Sequence, residues 1–135
     1  MAKGQKYPDW SRRIVLKNLS ALIPDLRKHD LMKKSYLYSF DEIVDEKFFS
    51  VLDVLSEIKK TYPDIRTVTT AYDPDFGRTN GLDKVIDCWV PQVERFEEQK
   101  DLIRQIQQSG KQVWYYSCLW DPGMDMLTEK PLTSA

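Results

Sequence analysis

Tyr36-Leu37-Tyr38-Ser39-Phe40-Asp41-Glu42 is the stretch around which this chain is organised. Its first five residues are bulky, aromatic or small enough to pack in a sheet, so it reads as a buried strand. Asp41 and Glu42 then place two charges where a core would not hold them. A strand that delivers acid to its C-terminal tip is the arrangement of active sites on parallel α/β folds. The same residues also allow a plainer reading, in which Asp41 only caps the following helix.

Working outward, the remaining elements alternate. Upstream, 1–10 is a polar lead-in, with Ser11 a plausible N-cap. Ile14, Val15, Leu19, Leu22, Ile23 and Leu26 fall on one helical face as far as Lys28. Pro24 is expected to kink or split that helix. Downstream, Asp45 caps a second helix to about Thr61, with Phe48, Phe49, Val51, Leu52, Leu55 and Ile58 on its apolar face, stopped by Tyr62-Pro63-Asp64. Residues 65–70, rich in β-branched side chains, form a second strand. A loop of turn formers covers 71–82. Residues 85–90 make a third strand ended by Pro91, and 95–108 a third helix with Gly110 just past its end. Residues 112–118 make a fourth strand, and 121–135 an irregular tail.

Strands alternating with helices predict a parallel sheet with right-handed crossovers. The repeat of about 20–30 residues per unit is the cadence of a (β/α)8 TIM-type barrel, which needs roughly 250 residues. With 135 residues and about four strands, the chain reads as an α/β segment, either a small open sheet or an incomplete barrel.

Composition bounds the function. Charged residues are 30%, hydrophobic ones 41%, and net charge is −1 without a long run of either sign, which argues against nucleic acid or an anionic membrane as partner. No apolar run could span a bilayer and no apolar leader opens the chain, so no membrane association and no secretory signal are expected. As it stands the chain reads as cytoplasmic. Cys88 and Cys118 fall in apolar strands and are expected as buried thiols. With a single histidine, His29, no triad or histidine metal site can be built. No metal-ligand spacing and no phosphate-cradling glycine loop is present, so no cofactor is expected. A flavodoxin-like binding domain would want such a loop after the first strand, and Asp41 and Glu42 carry the wrong charge for it.

For Asp41 and Glu42 to reach one pocket the backbone must bend or bulge near 40–42, because neighbours on a regular strand face opposite ways. Two close carboxylates hold their pKa values apart, which suits one to stay ionised and the other to carry a proton.

The ensemble of motifs is more specific than the pair. Tyr38-Ser39-Phe40-Asp41-Glu42 resembles the Y-x-F-D-E-P strand end of glycoside hydrolase family 123. Tyr62-Pro63-Asp64-Ile65 with Thr69-Thr70 resembles that family's P-D-I…T-T strand. Val85-Ile86-Asp87-Cys88-Trp89-Val90-Pro91 resembles its V-D-x-W-V-P strand, and Gly110-Lys111-Gln112-Val113-Trp114-Tyr115-Tyr116-Ser117-Cys118 its G-K-x-V-W-x-Y-x-C strand. Ile43 stands where the family has Pro. The resemblance implies a retaining β-N-acetylgalactosaminidase type of hydrolase, in which the substrate's own 2-acetamido oxygen is the nucleophile. Glu42 would then be the general acid/base, and Asp41 would orient the acetamide N–H and stabilise developing charge.

Aromatic rings stack on the C–H faces of sugars, which makes Tyr72, Trp89, Tyr116 and Trp120 the candidate substrate-binding residues. Trp114 and Tyr115, mid-strand, are expected in the core. Asp73 is a candidate for the same mouth or for a plain turn role. Asp87, between apolar neighbours, reads as a structural or supporting carboxylate that needs partners. The alternative to an enzyme is a non-catalytic half-barrel, a sugar-binding or scaffold module whose open sheet edges lead it to self-associate or to pair with a complementary barrel half.

Overall fold

The computed structural model describes residues 6–71 and 73–117. Four strands lie in one parallel sheet in the order β1 (Leu37–Phe40), β2 (Thr67–Thr69), β3 (Cys88–Trp89), β4 (Gln112–Val113). The helices are α1 (Asp9–Lys28), α2 (Phe48–Thr61), α3 (Val93–Glu98) and α4 (Lys100–Gln108). The α/β class and the parallel four-stranded sheet agree with the expectation, and the sequential strand order is compatible with part of a barrel. The strands are shorter than expected, and in β3 and β4 pairing covers two residues each. Trp114 N–H and Tyr116 N–H still reach the carbonyls of Trp89 and Pro91, at 2.9 and 3.1 Å, so β4 stays alongside the chain after β3.

One apolar core joins helices to sheet. Leu19 and Ile23 of α1, Val51, Leu55 and Ile58 of α2, Ile103 and Ile106 of α4, and Trp89 and Val113 of the sheet pack in a single cluster. Val68 and Cys88 are buried outside that cluster, as the two-residue alternation of a strand requires. Burial pushes the Cys88 thiol up to about 11. Cys118 lies outside the described residues.

Pro24 does not split α1. It sits on the exposed side, and the carbonyl it leaves without a helical donor, that of Ser20, is on an exposed residue where water can serve it. α1 also starts at Asp9 with Pro8 as N-cap, three residues before the expected cap Ser11. The second helix opens as a 3-10 turn at Asp45–Lys47, without a side-chain cap. The expected third helix is two, broken at Gln99 (φ −113°, ψ 23°). Gly110 takes φ +89°, the left-handed residue expected beyond α4.

The two ends of the sheet are built differently. Where the strands begin, Asp87 Oδ2 accepts the Thr67 backbone N–H at 2.8 Å, with the Thr67 hydroxyl at 3.2 Å, and pairs with Lys59 from α2. Lys111 donates to the Ile86 carbonyl at 2.8 Å. Asp87 thus has the partners a half-buried carboxylate between strands needs. Arg27 grips Asp64 with two bonds, at 3.0 and 2.7 Å, tying the end of α1 to the turn before β2.

Side chains from the two edge strands meet over the face away from the core. Tyr36, just before β1, stacks edge-on with Trp114, just after β4, at 5.1 Å between ring centroids. Tyr36 also bonds Gln112 and lies under the Arg66 guanidinium, 4.1 Å from its ring centre. A flat sheet would hold β1 and β4 about 14 Å apart, so both edges incline toward this face. Trp114 (45% exposed) and Tyr115 (58%) are not core residues. Trp114 covers a face with no second layer among the described residues, and Tyr115 rests on Phe96.

Candidate active site

The acids lie just past the C-terminal tip of β1, where two irregularities reshape the backbone. The β1–β2 register shifts between Tyr38 and Phe40. That inserts Ser39 as an extra residue, one position earlier than the bend expected at 40–42. Glu42 then takes φ +42°, in the left-handed region that a residue with a side chain rarely adopts. Such a conformation costs on the order of 1 kcal/mol and persists where the surroundings over-determine it. Here the Glu42 N–H is held by the Thr70 hydroxyl at 2.9 Å.

Asp41 is no helix cap. Its Oδ1 accepts the Tyr38 hydroxyl at 2.5 Å and the Thr70 hydroxyl at 2.8 Å. These two donors, Tyr38 first, hold the Asp41 carboxyl below the usual aspartate range. Burial, then the bond to Asp41, pushes the Tyr38 phenol up. Across the sheet, the Tyr116 hydroxyl donates to Glu42 Oε1 at 3.2 Å. Parallel bridging of Gln92 and Tyr116 beyond β3 and β4 sets that tyrosine at the same end of the sheet. No ion pair engages Asp41 or Glu42 among the described residues. Both carboxylates are exposed, so their charge is free to meet a substrate.

Of the expected ring-stacking residues, Tyr116 is brought to Glu42. Trp89 is not available to a sugar: it is 1% exposed and packs edge-on against Phe76 at 5.7 Å. Alternation turns its side chain toward the helices, the same direction as Thr67 and Val113, so its apolar surface closes the core. Tyr72 and Trp120 lie outside the described residues. Asp73 takes the turn role: buried, it accepts the Asp75 N–H at 2.9 Å and an Asn80 amide bond, organising the loop 71–82. Burial raises its pKa.

Thr70 and Tyr38 carry the geometry of the pair, yet the sequence assigned them no role. The signal for Thr70 in the sequence is the pair Thr69-Thr70 at the end of the β-branched run that forms β2, the strand that pairs with the acid-bearing one. Among the described residues no group of three or more His, Cys, Asp or Glu is arranged to hold a metal ion, and no helix is long and apolar enough to cross a membrane. A charged pair with neutral hydroxyl partners, at the open end of a parallel sheet, can accept an N–H or exchange a proton with a bound polar molecule.

No curated protein matches the chain. The family model of the glycoside hydrolase 123 catalytic domain matches residues 6–135. That match runs through all four strand motifs and over nearly the whole chain, which belongs to the glycoside hydrolase 123 catalytic-domain family.

Proposed function

We propose that the chain carries part of the catalytic apparatus of a retaining glycosidase acting on β-linked N-acetylhexosaminides, with the galacto configuration that the family resemblance implies. The observation that carries this reading is the joint placement of Asp41 and Glu42 at one strand tip, bonded to Tyr38, Thr70 and Tyr116 and to no cation among the described residues. Family membership supports the hydrolase class. The pair suits substrate-assisted chemistry because adjacent acids cannot flank the sugar from opposite sides.

In this reading Asp41, kept ionised by its hydroxyl donors, accepts the acetamide N–H. That orients the acetamide carbonyl oxygen to attack C1. As the C1–oxygen bond breaks, Glu42 gives its proton to the departing oxygen. A bicyclic oxazolinium forms, its positive charge balanced by Asp41. Water then attacks C1, Glu42 recovers a proton from it, and the acetamide is restored, so configuration is retained. Tyr116, bonded to Glu42, orients that side chain between the two proton transfers. The aromatic residues Tyr72 and Trp120 remain candidates for stacking on the sugar.

The test is Glu42→Gln in the full-length enzyme, assayed on a nitrophenyl β-N-acetylgalactosaminide. Turnover is expected to fall about a thousandfold with the thermal midpoint preserved; unchanged turnover would overturn the acid/base role.

A specific observation also favours the second reading, a scaffold or sugar-binding half-barrel. Among the described residues the outer edge of β1 is unpaired, and a cavity of about 230 Å³ runs between it, α1 and α2, lined by Tyr7, Val15, Leu37, Phe40, Val54 and Ile58. A further strand, from a complementary barrel half or a second copy, would fill it. Sizing of the purified chain discriminates: a stable, ordered monomer speaks against that reading.

A further inference from the structure

We infer that Thr70 is the positioning residue of the acid pair: its one hydroxyl ties the Asp41 carboxylate and the Glu42 backbone together, so that two acids adjacent in sequence serve one pocket. Its catalytic consequence rests on the hydrolase reading above; its structural core does not.

Asp41 and Glu42 are consecutive, and on an extended strand they would diverge. The chain departs from the extended form at Glu42, whose φ of +42° is unfavourable for any residue but glycine. Thr70 is 9% exposed, at the end of β2, and accepts the Glu42 N–H at 2.9 Å. The same oxygen donates to Asp41 Oδ1 at 2.8 Å and lies 3.1 Å from the Tyr38 hydroxyl. A bond made by the very amide whose residue is strained is what a device for holding that conformation requires. The strut is also unnecessary for joining the strands, which are already laddered and bonded from Thr69 Oγ1 to the Phe40 carbonyl at 2.8 Å.

Ile43, the next residue, anchors the turn by burial, at 2% exposure, and the Thr70 bond fixes the Glu42 backbone just before it. Among the described residues the groups bonded to the pair are Tyr38 from β1, Thr70 from beyond β2 and Tyr116 from beyond β4. Asp41's low pKa agrees with two donated hydroxyl bonds.

The test uses the full chain and carboxyl-carbon NMR, which needs no turnover. Thr70→Val keeps the shape and removes the hydroxyl. It is expected to raise the titration midpoint of Asp41 toward the ordinary aspartate value and to displace the Glu42 amide resonance, while Thr70→Ser preserves both. An unchanged Asp41 midpoint and Glu42 amide in a folded Thr70→Val chain overturn the proposal. Should that variant not fold, hydrogen exchange of the unmodified chain decides. The Glu42 amide, outside every helix and strand, is expected to be protected at least tenfold over its unstructured rate, and free exchange would refute its bond to Thr70. Where the unmodified enzyme hydrolyses the nitrophenyl substrate, Thr70→Val is expected to lower kcat about a hundredfold with little change in KM, and Thr70→Ser to restore most of it. Absence of hydrolysis in the unmodified enzyme sinks the glycosidase reading and leaves the NMR and exchange results to judge Thr70.

Discussion

Two carboxylates in this molecule each lean on a threonine in or just past β2, at opposite ends of the sheet, and they have opposite surroundings. Asp87, where the strands begin, faces the cation of Lys59 and the Thr67 N–H. Asp41, where the strands end, receives only uncharged hydroxyl bonds among the described residues, from Tyr38 and Thr70. Thr67 and Thr70 are three positions apart, so alternation directs them to different faces. At the first end the charge is cancelled within the fold, which makes Asp87 part of the stability of the sheet. At the second the charge is oriented and left uncancelled, which makes it available to something that binds. Residue type does not distinguish the two; the sign of the nearest charge does. Parallel α/β folds divide stability and catalysis between their ends in the same sense.

The comparison can be broken from either side. The largest expected effect is loss of turnover in Glu42→Gln, about a thousandfold, with stability unchanged; a large stability loss instead would erase the distinction between the ends. Next, Asp87→Ala should lower unfolding free energy by about 2 kcal/mol, discounted for the partial exposure of the pair. It would do so in urea titrations while leaving activity per folded molecule intact. Loss of kcat without loss of stability would make Asp87 a functional residue after all.

A smaller effect is set by pH. Asp41 is held below its unfolded value, so its ionised form favours the fold above that unfolded value, and this contribution is lost as pH falls through the folded pKa. Thermal midpoints measured downward from neutral pH should therefore decline in the acid range, and decline less in Tyr38→Phe, which loses one donor to Asp41. Asp64, lowered by its bond to Arg27, adds to the same acid loss. The smallest effect belongs to Arg27→Gln. Both partners of that pair are about half exposed, so a small drop in midpoint that shrinks with added salt is expected. A salt-independent drop would show that the Arg27 stem, rather than its charge, staples α1 to the turn before β2.

Much of the fold was legible because its signals are local. The apolar spacing of α1 and α2, the β-branched run before Thr70 and the glycine after α4 each report on a few neighbouring residues. Pro24 misled because a proline's effect depends on whether the carbonyl it orphans faces water. The aromatic assignments failed for a related reason. Trp89 and Trp114 both sit in short apolar strand segments bearing similar motifs, yet one is sealed in the core and the other lies open at 45% exposure. What separates them is strand phase relative to the helices, and an irregular β4 of two paired residues leaves that phase unmarked in the sequence.

The sequence by itself determined the alternation of strands and helices, the parallel sheet and the delivery of acid to a strand tip, since hydrophobic period and charge placement are properties of neighbouring positions. The tertiary structure alone decided which residues complete the site. Thr70 reaches Glu42 across 28 positions and Tyr116 across 74, and the left-handed turn that aims Glu42 is unfavourable until the first of those bonds holds it. Contacts between distant residues and strain offset by them have no periodicity to read, because they come into being when β1, β2 and β4 are set side by side.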